Sequence, residues 1–197
     1  MRRIILFAVA VLMAVPVFAR GADYRKKYRE YKRQGWELYA SSRTLKEALG
    51  EHAEALSKEG VREIAGAASG IRSESLARQA AWHDACISYA RQSGAFLRGR
   101  VDSDAFAGGG DEAEFNHFYA AYESLLQKEI RGELRPSYTV VRRRRDGTCE
   151  MLSFFLVDEE AAAKARIRAL ELAADESEAA QRIADRVRSF IGEGFNE

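Results

Sequence analysis

Three histidines, His52, His83 and His117, could act as general bases, because histidine is the side chain that titrates near neutral pH. His83 precedes Asp84, but neighbouring side chains on a helix diverge by about 100°, so these two residues do not form a catalytic dyad. His52 takes an apolar position in the repeat of a predicted helix, which favours a hydrogen-bonded core histidine over a base. The sequence therefore predicts no catalytic residue.

Motifs for metal, cofactor or serine-nucleophile chemistry are missing from the sequence. It contains no His-x-x-x-His, no Cys-x-x-Cys and no Gly-x-Ser-x-Gly. A glycine run at Ala107–Gly110 resembles a phosphate-binding loop only in its glycines, since no lysine follows and the next helix begins with two acids. We interpret this run as a linker, and we expect neither a metal nor a cofactor.

The first nineteen residues have the three-part layout of a secretory signal peptide. A charged start, Met1–Arg3, precedes the apolar run Ile4–Phe18, and small residues end at Ala19. Cleavage after Ala19 would release a periplasmic or secreted chain. A retained membrane anchor is the alternative, but about fifteen apolar residues interrupted by Pro16 fall short of the roughly 20 that span a bilayer. Since no cysteine directly follows the run, lipid anchoring is not expected.

The charge of the chain after cleavage limits the classes of partner that it is expected to bind. Residues 1–19 hold two of the 31 basic residues and none of the 30 acidic ones, so the remainder is close to neutral. Near-neutral charge does not favour generic nucleic-acid binding. We predict a signal peptide at 1–19, a basic tyrosine-rich leader at 20–35 and a single α+β domain at 36–197.

The leader places Tyr24, Tyr28 and Tyr31 on one helical face among many basic residues. One interpretation is an arm that contacts an anionic surface such as phospholipid headgroups. The favoured interpretation is a solvated helix whose tyrosines lie on the domain. The candidate contact residues are Arg25, Lys26, Lys27, Arg29, Lys32 and Arg33.

Cys86 and Cys149 form an even pair in a chain predicted to reach an oxidising compartment. A disulfide between them is possible and would contribute roughly 4 kcal/mol in the chain-entropy model. Two separate core thiols are the favoured alternative.

The domain is predicted to begin with a helix and a strand. Thr44 and Glu47 form a capping box, and apolar residues then repeat at helical spacing until Gly60. The short run Val61–Ser69 has the composition of a strand.

An alanine-rich helix follows from Ser73 to about Gln92, and its small side chains would let it lie close on a sheet. After Ser93 and Gly94, the segment Ala95–Val101 is predicted to be a second strand. If parallel, the two strands would form a right-handed crossover around the helix.

The second half is predicted to contain a β-hairpin, with strands Ser137–Val141 and Met151–Val157 joined at Asp146-Gly147. With a two-residue turn there, the two residue numbers of each facing pair add up to 293. The expected pairs are Arg143 with Glu150, Val141 with Leu152, and Tyr138 with Phe155.

Four arginines, Arg142–Arg145, lead into this turn. Strand alternation directs Arg142 and Arg144 to one face and Arg143 and Arg145 to the other, so the four cannot form one patch. A tip that touches anionic lipid or polysaccharide is one interpretation. A solvated tip that blocks edge aggregation is the favoured one.

Two further helices complete the prediction. Asp111 and Glu114 form an acidic capping box for a helix that continues to Ile130, and Asp158 begins a long C-terminal helix that runs to Gly192. The fold class is therefore α+β, with about four short strands including the hairpin. Alanine-rich helices pack mainly on one face.

Several stretches resemble a family of uncharacterised exported proteins of Bacteroides-type bacteria: Gly35–Leu49, Ser75–Ala90, Gly99–Asp104, Phe118–Glu123 and Phe154–Ala161. That resemblance implies export but no activity. A helix rich in alanine and arginine between two short strands is similar to the small domain of outer-membrane lipoproteins and flagellar accessory proteins typified by a Helicobacter membrane-associated lipoprotein. This second resemblance implies a role in assembly and envelope structure, although this chain lacks the lipidation cysteine.

We therefore expect a periplasmic binding or assembly module without catalytic activity, whose partner is another envelope protein. The alternative is an enzyme that acts on envelope material through an unrecognised site. The sequence does not assign an oligomeric state.

Overall fold

The computed structural model describes residues 23–105, 112–176 and 178–191. The predicted signal peptide with its cleavage position at Ala19, the glycine run at 107–110 and the predicted cap Asp111 lie outside these ranges. Within them the chain is α+β, as predicted. The elements in chain order are α1 (Asp23–Gln34), β1 (Glu37–Leu38), α2 (Leu45–Leu56), β2 (Val61–Ile71), α3 (Glu74–Ala105), α4 (Glu112–Arg131), β3 (Arg135–Arg143), β4 (Cys149–Asp158), α5 (Glu159–Ala174) and α6 (Glu178–Ile191).

The four strands form one antiparallel sheet in the order β1-β3-β4-β2. Successive side chains of β4 point to opposite faces, so Phe154 and Phe155 are both buried but enter different core clusters. The sheet is therefore covered on both faces.

The α1 and α2 helices cover the Phe154 face. Leu45, Ala48 and Leu49 of α2 are buried against Tyr138 and Phe154 of the sheet. The predicted capping box begins α2, since the Thr44 hydroxyl accepts from the Glu47 amide at 3.2 Å and the Thr44 amide donates to the Glu47 carboxylate at 2.7 Å.

The other face carries α3, with α4, α5 and α6 packed around it in one apolar cluster. The predicted close approach of α3 to the sheet is confirmed, because its Ala77, Ala81 and Ala85 have no exposed surface. Gly66 of β2 lies beneath them, where an added Cβ would be 2.5 Å from the Ala85 amide nitrogen. Only glycine allows this contact between strand and helix backbone.

The predicted strand at Ala95–Val101 is wrong, because α3 continues through it to Ala105. Ser93 does not end the helix; its hydroxyl shares a 2.9 Å hydrogen bond with Tyr122 of α4. Leu97 is 1% exposed and packs in the helical cluster. Burial against α4 thus favours helix here, and the predicted parallel crossover does not exist because β2 pairs with β4 antiparallel.

The hairpin is confirmed, but its predicted register is wrong by one residue. The residue numbers of each facing pair add up to 292 and not 293. Arg142 therefore faces Glu150, and Val141 faces Met151. The loop holds three residues, Arg145 to Gly147, and the Arg144 amide donates to the Thr148 carbonyl at 2.8 Å. Gly147 has a φ of 80°, which matches the left-handed position of a three-residue hairpin loop. In the same register Tyr138 faces Phe154 rather than Phe155, and a bulge between Pro136 and Tyr138 then shifts the register again, so that Pro136 faces Phe155.

The predicted long C-terminal helix is two helices. Asp158 caps α5 as expected, since its carboxylate accepts from the Glu160 amide at 3.0 Å. The α5 helix ends at Ala174, and α6 turns back on it, which buries Ile183 and Val187 in the same cluster as Ala169. Folding back covers an apolar face that a straight helix would leave in water. No helix in the described part of the chain is long and apolar enough to cross a bilayer.

Candidate functional site

A chain of three hydrogen-bonded side chains joins α2, β2 and β3 at one end of the sheet. His52 lies on α2, and its Nδ1 is 2.8 Å from the hydroxyl of Ser137, at the bulge of β3. Its Nε2 is 2.5 Å from a carboxylate oxygen of Glu63 on β2. We call these residues the Ser137–His52–Glu63 chain.

The charge of Glu63 sets the direction of both hydrogen bonds. Burial opposes its ionisation, but the hydrogen bond from His52 and the charge of Lys27 outweigh burial and hold the pKa of Glu63 below its usual value. An ionised carboxylate only accepts hydrogen bonds, so the Nε2 of His52 carries the proton. In the neutral imidazole, Nδ1 is then the acceptor and the Ser137 hydroxyl donates to it.

Packing fixes the imidazole in place. His52 is 4% exposed, and its ring meets the rings of Tyr138 and Phe154 edge-on at centroid distances of 5.0 and 6.2 Å. Lys27 of α1 closes this side, with Nζ 3.9 Å from Glu63 and 4.3 Å from the centroid of Phe154. The expectation of a hydrogen-bonded core histidine at position 52 is confirmed, and the structure adds its two partners.

Ser137 also lines a groove of about 450 Å³ at the open edge of β3. The β1 strand covers only two residues of β3, because the chain turns away at Ala40, a non-glycine residue with a φ of 45°. Arg43 then donates from Nη2 to the Ser137 carbonyl at 2.9 Å. The groove is lined by Leu38, Tyr39, Ala40, Ser41, Arg43, Ser75, Arg78, Pro136, Ser137, Tyr138 and Thr139.

The other two histidines take no part in the Ser137–His52–Glu63 chain. His83 is exposed and lies 3.1 Å from the side-chain amide of Gln127, and the neighbouring Asp84 instead accepts from the Ala67 amide at 2.8 Å. His117 is exposed and lies 3.8 Å from Glu176. Across the described ranges, no group of three or more histidine, cysteine or acidic side chains is arranged to hold a metal ion.

The part of the leader that the structure describes forms α1 (Asp23–Gln34), and its tyrosine face lies on the domain. Tyr31 is 6% exposed and Tyr24 and Tyr28 pack against the same cluster as Leu49. Lys27 turns toward Glu63, whereas the other five candidate contact residues point into solvent. These exposed residues, which we call the basic arc, are Arg25, Lys26, Arg29, Lys32 and Arg33.

The arginines of the hairpin are largely engaged by carboxylates. Arg142 and Arg144 both bind Glu150, from the same face of the hairpin, as alternation predicted. Arg143 reaches Glu37 and Glu74, each at 2.6 Å. The predicted pair of Arg143 with Glu150 is therefore wrong, because the one-residue shift in register gives Glu150 to Arg142.

The two cysteines are free and buried in separate clusters. Cys86 lies among the helices, and burial raises its thiol pKa to about 11. The Cys149 thiol donates to the Ile71 carbonyl at 3.1 Å. Both behave as core side chains here.

Sequence reasoning missed Glu63 and Ser137. The one available signal was His52 in an apolar stripe, since a buried imidazole needs partners for its two nitrogens. That signal does not identify the partners, because one lies in the next strand and the other on β3, far along the chain.

Comparisons with known proteins add no relative: no protein-family description, curated protein or solved structure matches this chain.

Proposed function

We propose that this protein is an exported binding and assembly module of the cell envelope, and that the basic arc of α1 holds it against anionic phospholipid headgroups. Its partner in assembly is another envelope protein, and its compartment is the periplasm or the cell exterior. The signal-peptide layout of residues 1–19 supports export. The geometry of α1 supports the surface contact.

The main support for this surface contact is that the basic arc is continuous. At 100° per residue, the order around the helix is Lys32, Arg25, Arg29, Arg33 and Lys26, which spans an arc of about 120°. All five side chains are exposed, and none forms an ion pair within the described part of the chain. The tyrosine face lies beside this arc and is held by the domain. The packed helix therefore presents one continuous cationic surface.

The charge count indicates the strength of such a contact. A basic residue near an anionic bilayer contributes about 1 kcal/mol at moderate ionic strength. Five of them give roughly 5 kcal/mol, which is enough for a reversible peripheral attachment. The attachment weakens as salt screens charges that lie beyond about 10 Å at 0.1 M.

Charge reversal tests this proposal better than deletion. Removing α1 would expose Leu49 and Trp36, because Tyr31 packs in their cluster. The test variant is Lys26→Glu with Arg29→Glu and Arg33→Glu, which leaves every tyrosine in place. The matched control reverses three exposed basic residues outside α1, namely Lys58, Arg72 and Arg135.

We expect the mature protein to sediment with vesicles that contain phosphatidylglycerol at low salt, and not with neutral phosphatidylcholine vesicles. The α1 variant should lose binding by about 100-fold or more, whereas the control should keep most of it. Equal loss in both variants would show that net charge alone attracts the protein, and absence of binding by the wild type would contradict the proposal.

Export is tested separately by sequencing the N-terminus of protein taken from the envelope fraction. We expect the chain to begin at Arg20 and to be released without detergent. A chain that begins at Met1 and needs detergent would be a membrane-anchored protein instead.

A second candidate function, an enzyme that acts on envelope material, is favoured by one observation. The Ser137–His52–Glu63 chain joins a hydroxyl, an imidazole and a carboxylate in the order used for nucleophilic catalysis.

A further inference from the structure

We propose that Ser137 is a reactive nucleophile, with His52 as its general base and Glu63 as a positioning residue, and that it accepts acyl groups from small anionic carboxylic esters bound in the groove. This activity goes beyond the surface contact of α1 and does not depend on it. Three features of the site carry it: the order of the hydrogen bonds, the placement of Ser137, and the charge of the groove.

The hydrogen bonds run in the productive direction. A serine hydroxyl is a weak nucleophile unless a neighbouring base takes its proton. The Nδ1 of His52 lies 2.8 Å from the Ser137 oxygen and has no proton of its own when Nε2 donates to Glu63. Glu63 also stabilises the imidazolium that forms when His52 takes the proton.

The strand geometry leaves Ser137 half-buried at the rim of the groove, while His52 stays buried. A regular strand would pair Ser137 with the next residue of β4, but the bulge between Pro136 and Tyr138 takes it out of the ladder. The chain leaves the β3 edge at Ala40, whose φ of 45° is unfavourable for a residue with a Cβ. Both irregularities open the edge beside Ser137, the serine that is hydrogen-bonded to His52.

The groove has the charge that an acyl-transfer reaction needs. Its lining includes Arg43 and Arg78, and no acidic residue is among the described residues that line it. Arg43 is already held by the Glu51 carboxylate and the Ser137 carbonyl, so it is the exposed Arg78 guanidinium that would attract a negatively charged ester and stabilise the oxyanion that forms at its carbonyl. This complementarity selects anionic esters over neutral ones.

The proposed reaction is hydrolysis of the ester, with water as the only co-substrate. The Ser137 oxygen attacks the carbonyl carbon and its proton moves to Nδ1 of His52, which gives a tetrahedral oxyanion. Collapse of the oxyanion breaks the bond to the leaving alcohol, which takes the proton from His52. Water then attacks the acyl-serine through the same base, and the acid and free Ser137 are released.

The test uses a fluorophosphonate probe on the folded mature protein, followed by intact mass and peptide mapping. The Ser137 oxygen should form a bond to phosphorus as fluoride leaves, which gives one adduct on Ser137. Ser137→Ala should remove the adduct, and the control Ser69→Ala, which changes an exposed serine of β2, should retain it. A folded wild type without an adduct at Ser137 would overturn the proposal.

The role of His52 is tested by the rate of labelling. His52→Asn should slow it by about 100-fold or more, because a positioned general base contributes at least this factor. Glu63→Gln should slow labelling less than His52→Asn does. If circular dichroism shows that His52→Asn is unfolded, the labelling rate of Glu63→Gln serves as the test instead. Equal labelling rates in wild type and Glu63→Gln, or in wild type and folded His52→Asn, would contradict an activated serine.

Substrate charge is tested with two activated esters, nitrophenyl acetate and nitrophenyl hemisuccinate. We expect faster turnover of the anionic hemisuccinate, and Arg78→Ala should reduce that advantage. Turnover that is equal for both esters would overturn the assignment of anionic substrates.

Discussion

Arg166 donates from Nε to the carbonyl oxygen of Ile191 at 3.0 Å, so the middle of α5 holds the last residue of α6. The same guanidinium is 2% exposed and donates to Tyr89 at 2.6 Å and to Glu159 at 2.7 Å. One buried arginine thus connects α3, the start of α5 and the end of α6.

Replacing Arg166 by leucine should lower the free energy of unfolding by about 3 kcal/mol, because the buried Tyr89 hydroxyl, the Ile191 carbonyl and the half-buried Glu159 carboxylate all lose this donor. Arg168→Leu is the matched control. That residue is on the same helix and also binds two carboxylates, Glu129 and Glu133, but is 42% exposed. We expect the control to cost about 1 kcal/mol or less. Urea unfolding measures both, and equal losses would contradict a special role for Arg166.

Gly66→Ala should destabilise the protein by about 2 kcal/mol, since its Cβ would overlap the α3 backbone at Ala81 and Ala85. Gly50→Ala is the opposite case. It lies inside α2, and no atom beyond its own turn of helix is within 4 Å of the added Cβ, so the substitution should stabilise the protein by about 0.5–1 kcal/mol. Thermal unfolding of the two variants checks the contrast, and a melting temperature unchanged by Gly66→Ala would show that α3 moves away freely.

Gly147→Val should lower the free energy of unfolding by about 1 kcal/mol or more, because a β-branched residue is strained at a φ of 80°. Gly147→Asn should cost less, since asparagine tolerates the left-handed region. Comparing the two variants separates the cost of backbone strain from any effect of simply replacing the glycine. Similar unfolding curves for the two variants would argue against strain in the loop.

Glu63 should make stability depend on pH in the acid range. Its pKa is lower in the folded protein than in the unfolded chain, so its ionised form stabilises the fold above the unfolded value of about 4.3. That stabilisation is lost as pH falls through the folded pKa. The gap in unfolding free energy between wild type and Glu63→Gln should therefore shrink as the pH falls below about 5. Lys27→Met should reduce the pH-dependent part, and a gap that is constant with pH would exclude the carboxylate as its source.

Features that depend on neighbouring residues could be predicted from the sequence. The start of α2 follows from a hydrogen-bond exchange between Thr44 and Glu47, three residues apart, and the start of α5 follows from Asp158 and the amides just after it. The hairpin was located by its turn residues, and the α+β class follows from the alternation of such elements. These contacts form within one turn of chain, so residue order alone specifies them.

Features that depend on distant residues were decided by tertiary packing. The segment Ala95–Val101 is helical because Leu97 is buried against a neighbouring helix, and the C-terminal helix breaks so that α6 can cover α5. The pairing of Ser137 with His52 and Glu63 arises because three separate elements meet at one end of the sheet. Residue order fixes which side chains are present, but only the burial of apolar faces against one another determines which of them come within hydrogen-bonding distance.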